Sequence, residues 1–469
     1  EKRLNKLNFE YGSFRDPAGK IFYNEDKVYR ELSEIGIKRF TFLKKNNLIN
    51  DLIKEKYLIA TEECDKKNNE NFKIDQKKLI LKHEKINFIS YPYEWTFTQL
   101  KDAALFHLDL QIYLLSKNAK LIDASAYNIQ FKNNKPIFID VLSIDEYREG
   151  EYWYAHKQFC ENFLNPLVLS AKKGVSFNNW FRGNLEGIYT HEIAPLLGIK
   201  DFISPTLFFH VYLLNKLEEK SKIDPKKANN KISSLKKFTK KAYQNLLNQL
   251  KNYIQGLNNK KTISNWDKYS EKNTYDSKEE EKKLNIIKNF IDDNDPKFLG
   301  DLGCNEGKYS EYASKQKKIN VVGVDFDLNV LDRAYIKSKK QNLNFFPIYA
   351  DFSNPSNSLG WNELERQSLI KRSRFDAILA LALIHHLIIG KNIPLDQVIK
   401  WLTSLAPNGL IEFVPKKDPT SQIMLKLKGD IFPEYTEKNF AANLSKLANI
   451  KKISLVTDTE RKIYEYSTK

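Results

Sequence analysis

The residues best placed to do chemistry lie in the second half of the chain. Three acids punctuate it: Asp301 follows the apolar run that starts at Phe298, Asp325 ends Val321-Val322-Gly323-Val324, and Asp351 follows Tyr349-Ala350. A carboxylate at the end of a second strand can accept both hydroxyls of a ribose. One at the end of a third strand can accept from the exocyclic amine of adenine, with the apolar Phe352 beside it. Phe326 stands in the same relation to Asp325. Gly303 and Gly307 bracket Cys304 and Asn305 in a tight turn after the first acid. Glycines there let the backbone approach a ligand with no Cβ in the way. A fourth apolar run passes through Ala380 to His385 and His386. Histidine, with an unperturbed pKa of ~6.5, can take a proton from a hydroxyl as it reacts. His386 is the first candidate for this base and His385 the second. Glu412, in a fifth run, is placed to orient a histidine or the substrate. Each acid alone reads equally well as a surface or capping residue; the set and its glycine turn carry the inference.

These residues need elements to hold them. Strand-like runs at 297–302, 320–325, 344–349, 375–381 and 409–414 alternate with helix-like runs at 307–316, 330–339 and 395–405. That alternation predicts a doubly wound α/β domain with a parallel sheet. All three acids then sit at its carboxyl edge and line one crevice. A last pair, 450–458 and 461–467, fits an antiparallel hairpin closing the edge.

The set resembles the class I S-adenosylmethionine-dependent methyltransferases, over about residues 280–469. The resemblance implies a Rossmann-like fold and S-adenosylmethionine as methyl donor. It places the donor against Asp301, Gly303, Cys304, Asn305, Gly307, Asp325, Phe326, Asp351, Phe352 and Ala380. The glycine turn lacks the G-x-G-x-x-G spacing, which favours a nucleoside sulfonium over a dinucleotide. Methyltransferases acting on amino groups carry an Asn- or Asp-Pro-Pro-aromatic turn after the fourth strand, and this chain has His385-His386 there. No Cys stands there either, so the covalent route to 5-methylpyrimidines lacks its nucleophile. O-methylation of a small-molecule or glycan-type acceptor is the expected activity. The insertion around Trp361, with Glu363, Glu365 and Arg366, is similar to a bacterial group that includes nodulation-associated proteins of the NoeA type. A Trp in such a loop is positioned to cover the cleft.

The first half carries a second pattern. Asp123 and Asn128 are five apart and Asp140 follows twelve later, at the end of a strand-like run. An apolar helical stretch from Phe97 to Ser116 precedes them. This resembles the catalytic core of kinase-like folds, an α+β domain with a helical lobe. The resemblance implies that Asp123 orients a hydroxyl and that Asn128 and Asp140 hold Mg on ATP. The departures are large: Ile122 precedes Asp123, no glycine-rich loop opens the chain, and Lys27 and Arg30 are only guesses for the nucleotide anchor. An inactive or binding-only module, an active phosphotransferase and an unrelated fold all stay open.

Composition sets the frame. At 469 residues, with 41% hydrophobic and 13% aromatic, the chain can build more than one core. Expected segments are 1–95 as a small α+β lobe, 96–264 as a mainly helical lobe, 265–295 as a linker or lid, and 296–469 as the methyltransferase domain. The net charge is +17, carried by 65 Lys against 11 Arg. Arg, not Lys, supplies the planar fork for bidentate phosphate contacts. Between Lys216 and Lys261 there are 13 Lys and three acids, with Tyr243, Leu246, Leu250, Tyr253 and Leu257 at helical spacing. That reads as one amphipathic helix with a basic face, solvated or facing RNA or an anionic surface. Cys64, Cys160 and Cys304 are far apart and odd in number, which fits neither a disulfide framework nor a zinc knuckle and points to a bacterial cytoplasm. No run reaches the ~18–20 apolar residues of a membrane span.

Overall fold

The computed structural model describes residues 8–24, 26–65, 78–223, 239–260, 277–316 and 318–469. The chain forms two compact units, residues 1–261 with 359–366, and residues 262–358 with 367–469. Among the described residues no helix is long and apolar enough to cross a membrane.

The first unit opens with an antiparallel sheet ordered β1-β2-β3-β5-β4. Its strands are β1 (Asn8–Phe9), β2 (Gly19–Asn24), β3 (Lys27–Leu32), β4 (Thr61–Glu63) and β5 (Ile80–His83). Phe22, Tyr29 and Ile80 bury one face of it. The helix Phe97–Ser116 follows, started by Thr96, whose hydroxyl accepts from the Gln99 N–H while Gln99 reaches back to the Thr96 N–H. Two short ribbons come next. β6 (Ala119–Leu121) pairs with β9 (Ile144–Glu146), and β7 (Ile129–Lys132) with β8 (Lys135–Phe138). Asn133 and Asn134 turn the second ribbon with φ of 51° and 57°, the left-handed pair that a two-residue hairpin loop requires.

The basic segment departs from the single helix expected. Two helices, Leu214–Ile223 and Lys240–Gly256, are described, and residues 224–238 lie outside the described residues. The second helix buries Tyr243, Leu247, Leu250 and Ile254, so its apolar stripe is displaced from the expected Leu246 and Tyr253. It packs on Phe97–Ser116, with the Gln111 amide donating to the Tyr243 hydroxyl at 3.0 Å.

The second unit is a seven-stranded sheet ordered β12-β11-β10-β13-β14-β16-β15. The strands are β10 (Phe298–Leu302), β11 (Asn320–Asp325), β12 (Phe345–Tyr349), β13 (Ala377–Ala380), β14 (Asn408–Phe413), β15 (Ala448–Leu455) and β16 (Lys462–Thr468). β10 to β14 are parallel, and β16 enters antiparallel beside β14, forming the expected terminal hairpin with β15. Helices Lys308–Ser314, Leu328–Gln341 and Leu395–Leu405 occupy the crossovers. The strand order reverses between β10 and β13, the point where ligands bind in doubly wound sheets. This is the Rossmann-like architecture expected from the alternation of runs.

Two segments are corrected. The helix Ser277–Asn294, expected within a linker, buries Ile287, Phe290 and Ile291 in the core of this unit. The segment 359–366, expected to cover the methyltransferase cleft, is part of the first unit, where Arg15 pairs with Glu365 at 2.6 Å and Arg366 lies 4.1 Å over the Tyr127 ring. Trp361 is exposed there.

Candidate active site

The donor-side residues gather at the carboxyl ends of β10, β11 and β12. Asp325 is the last residue of β11 and is 8% exposed. Its carboxylate accepts the Asn305 N–H at 2.9 Å on one oxygen and the Asp327 N–H at 3.0 Å on the other. The Phe326 N–H adds a third backbone donor to this carboxylate. Burial raises its pKa, against the pull of those backbone donors. Asn305 adopts φ of 50° in the turn, and so positions Asp325 through its backbone. Asp327 caps the following helix by accepting from Asn329 and Val330.

The two glycines differ in role. Gly303 has φ of +80°, and a Cβ there would meet only the Leu383 side chain, at 3.3 Å. Gly307 has φ of +76°, but a Cβ there would strike the Phe345 ring at 2.2 Å. Gly307 therefore makes room for the core, not for a ligand.

Asp301 is buried, and its carboxylate accepts from the Ser310 hydroxyl at 2.5 Å. Burial pushes its pKa up to about 6. It ties β10 to the helix Lys308–Ser314 and shapes the turn. Cys304 is buried beside Gly323, and burial pushes its thiol well up, so it packs as a neutral side chain. Asp351 lies two residues past β12 and accepts from the Ser353 N–H and hydroxyl, at 2.8 and 2.6 Å. Phe352 contacts Trp401 with ring centroids 5.1 Å apart, and Phe326 is exposed.

β13 ends at Ala380, and the chain bends at Ala382, whose φ of 50° is strained for a residue with a Cβ. Such strain collects at functional sites. The bend delivers His385 and His386, with ring centroids 4.1 Å apart, into a π-helical turn, His386–Gly390. His385 is 1% exposed and neither ring nitrogen has a hydrogen-bond partner. Burial, then His386 and Arg461, drives its pKa well below the usual value. His386 is half-buried, and burial followed by Arg461 lowers it to about 4. With their pKa values lowered, both rings are neutral at pH 7. His386 is the more accessible.

Glu412 is fully buried in β14 and accepts from Lys283 Nζ at 2.9 Å, with Arg461 Nη1 at 3.9 Å. Arg461 makes a bidentate pair with Asp418, at 2.7 and 2.8 Å. Glu412 thus belongs to a buried charge network and makes no bond to His385. Lys283, Arg461 and Asp418 were not expected from sequence. The signal for Lys283 was present: it shares a helical face with Ile287, Phe290 and Ile291, where a lysine needs a buried partner.

In the first unit, Asp123, Asn128 and Asp140 also come together. Burial raises the Asp123 pKa, opposed by the Ser125 N–H, Asn128 and Gln158, while Asp140 raises it further. Asp140 is bonded by Arg30 Nη1 at 2.5 Å and by the Ser143 hydroxyl, and Arg30 also pairs with Asp16. Arg30, not Lys27, is the cation at this cluster.

Residues 300–413 match the family of methyltransferase domains. Over 458 residues the chain is 39% identical to the nodulation protein NoeA of Rhizobium meliloti (strain 1021), covering 97% of this chain and 95% of that protein. The chain belongs to the NoeA family. Its second unit is a class I S-adenosylmethionine-dependent methyltransferase domain, and in this chain it follows an additional N-terminal unit. Solved structures with related folds include magnesium protoporphyrin IX methyltransferase (ChlM) from Synechocystis PCC 6803 with bound SAH. It is 18% identical, covers 41% of this chain and 84% of its own, and has a TM-score of 0.29. The bifunctional kinase-methyltransferase WbdD is 18% identical, covers 44% of this chain and 43% of its own, and has a TM-score of 0.30.

Proposed function

We propose that this NoeA-family chain methylates a hydroxyl group of a small-molecule or glycan-type acceptor. S-adenosylmethionine supplies an electrophilic methyl group, whose bond to sulfur breaks as its bond to the acceptor oxygen forms. Asp325 would hold the donor's ribose and Asp351 its adenine amine, with Gly303 leaving the turn open to it. His386 would take the hydroxyl proton, and the buried His385 would support its ring position. Positioning of donor and acceptor supplies most of the rate in such a displacement. The observation that supports this reading is the buried Asp325 carboxylate, held by backbone N–H groups at the carboxyl end of β11 beside the strand-order reversal, with His386 following β13. The test uses an isotopically labelled methyl donor with oligosaccharide, small-phenol and RNA acceptors. Label in an ether linkage of the first two supports the reading; label confined to RNA or to nitrogen overturns it.

The first unit fits a recognition module better than a phosphotransferase. Asp140, which would share Mg-ATP with Asn128, is already neutralised by Arg30. The full chain with Mg-ATP should therefore show no phosphate transfer to acceptors, and transfer above the no-enzyme rate would contradict this. In the basic segment, Lys251 pairs with Asp109 and Lys216 with Glu219; RNA as the acceptor is decided by the labelled-donor test.

A further inference from the structure

We propose that His156, Cys160 and His210 form a binding site for a soft divalent cation, best suited to Zn2+, within the first unit. Among the described residues this is the one three-donor cluster of His, Cys, Asp or Glu side chains, with all donor atoms within 4.8 Å of one another. His156 lies in the helical turn His156–Phe159, and Cys160 follows four residues on, so both side chains leave the same helical face. His210 comes from a separate element, the π-helical turn Phe208–Leu213. Cys160 itself opens a second π-helical stretch, Cys160–Leu164. Inserted turns of this kind re-aim side chains and recur at functional sites.

The distances suit the ion. Bonds of ~2.0–2.1 Å to nitrogen and ~2.3 Å to sulfur in a tetrahedron place nitrogen and sulfur ~3.5 Å apart. Cys160 Sγ stands 3.6 Å from His156 Nε2. His156 Nε2 and His210 Nδ1 are 2.7 Å apart, and the rings must separate by ~0.7 Å to admit the metal. Without an ion the three groups form a Cys160–His156–His210 hydrogen-bonded chain, and their donor atoms all lie within 4.8 Å of one another. Cys160 and His210 are buried, while His156 is half-buried, which leaves the fourth position to solvent on its side. Two imidazoles and a thiolate select zinc or cobalt over magnesium or calcium. On binding, the thiol proton is displaced to solvent and the metal–sulfur bond forms, one proton released per ion. The site would clamp two helical segments of the recognition unit.

The experiment uses the full chain, stripped with a chelator and titrated with Co2+. The expected result is one Co2+ per chain, a thiolate-to-cobalt charge-transfer band, and its displacement by one equivalent of Zn2+. Cys160→Ser should abolish the band, Cys64→Ser should keep it, and His210→Gln should weaken Zn2+ binding roughly tenfold or more. Absence of the band in the wild-type chain overturns the proposal, whatever the variants do. So does an unchanged band in Cys160→Ser.

Discussion

At the residue scale, the account rests on groups whose ordinary chemistry is altered by burial. As the proposed base, His386 would take the acceptor proton only as the neutral ring, and its pKa is lowered to about 4. Turnover should therefore be flat above about pH 5 and fall as pH drops through about 4, because protonation removes the accepting lone pair. His386→Ala should lower kcat by ~10²–10⁴-fold and leave donor affinity unchanged, as expected for a lost general base. Stopped-flow or discontinuous assays across pH check both points. A variant that keeps wild-type kcat would remove His386 from the chemistry. The sequence showed where the acids and histidines lie, because strand ends are marked by apolar runs. It did not separate Gly303 from Gly307, since only the Phe345 ring, from a distant strand, distinguishes them.

At the element scale, the parallel, doubly wound sheet and its terminal hairpin were legible, since apolar strand-like runs alternate with helix-like ones; the strand order was not. Less legible was what joins them. The helix Ser277–Asn294 reads as polar because its charged face dominates, yet Lys283 on its inner face reaches Glu412 of β14. Both groups are almost completely buried, so each depends on the other. Glu412→Leu should destabilise the second unit by ~3–5 kcal/mol, because the buried Lys283 loses its carboxylate partner. Lys283→Met with Glu412→Leu should recover most of that loss. Denaturant melts of the two variants decide it; equal losses would show that the pair is not coupled. The ion pair of Glu412 was not legible for the same reason: its partner lies 129 residues upstream, and no spacing rule reports such a contact. The segment 359–366 likewise reads as a loop of the second unit, and its ties to Arg15 and Tyr127 are invisible in the chain.

At the scale of the whole molecule, two compact units share one chain. The methyltransferase family match lies almost wholly in the second unit, and all the proposed donor residues are in it, so S-adenosylhomocysteine should raise the unfolding temperature of one calorimetric transition and leave the other in place. At about 100 times its Kd the ligand adds ~2.7 kcal/mol to the state that binds it. Equal shifts of both transitions would contradict the assignment of the donor to residues 262–469. The net charge of +17 is a property of the lysine-rich chain, and the proposed donor site rests on strand-end acids instead. The most direct measurement is titration calorimetry of S-adenosylhomocysteine into the wild-type chain, Asp325→Ala and His386→Ala. The account predicts one site per chain, a loss of at least about tenfold in affinity for Asp325→Ala from the charged hydrogen bonds removed, and no loss for His386→Ala. Wild-type affinity in Asp325→Ala would contradict it.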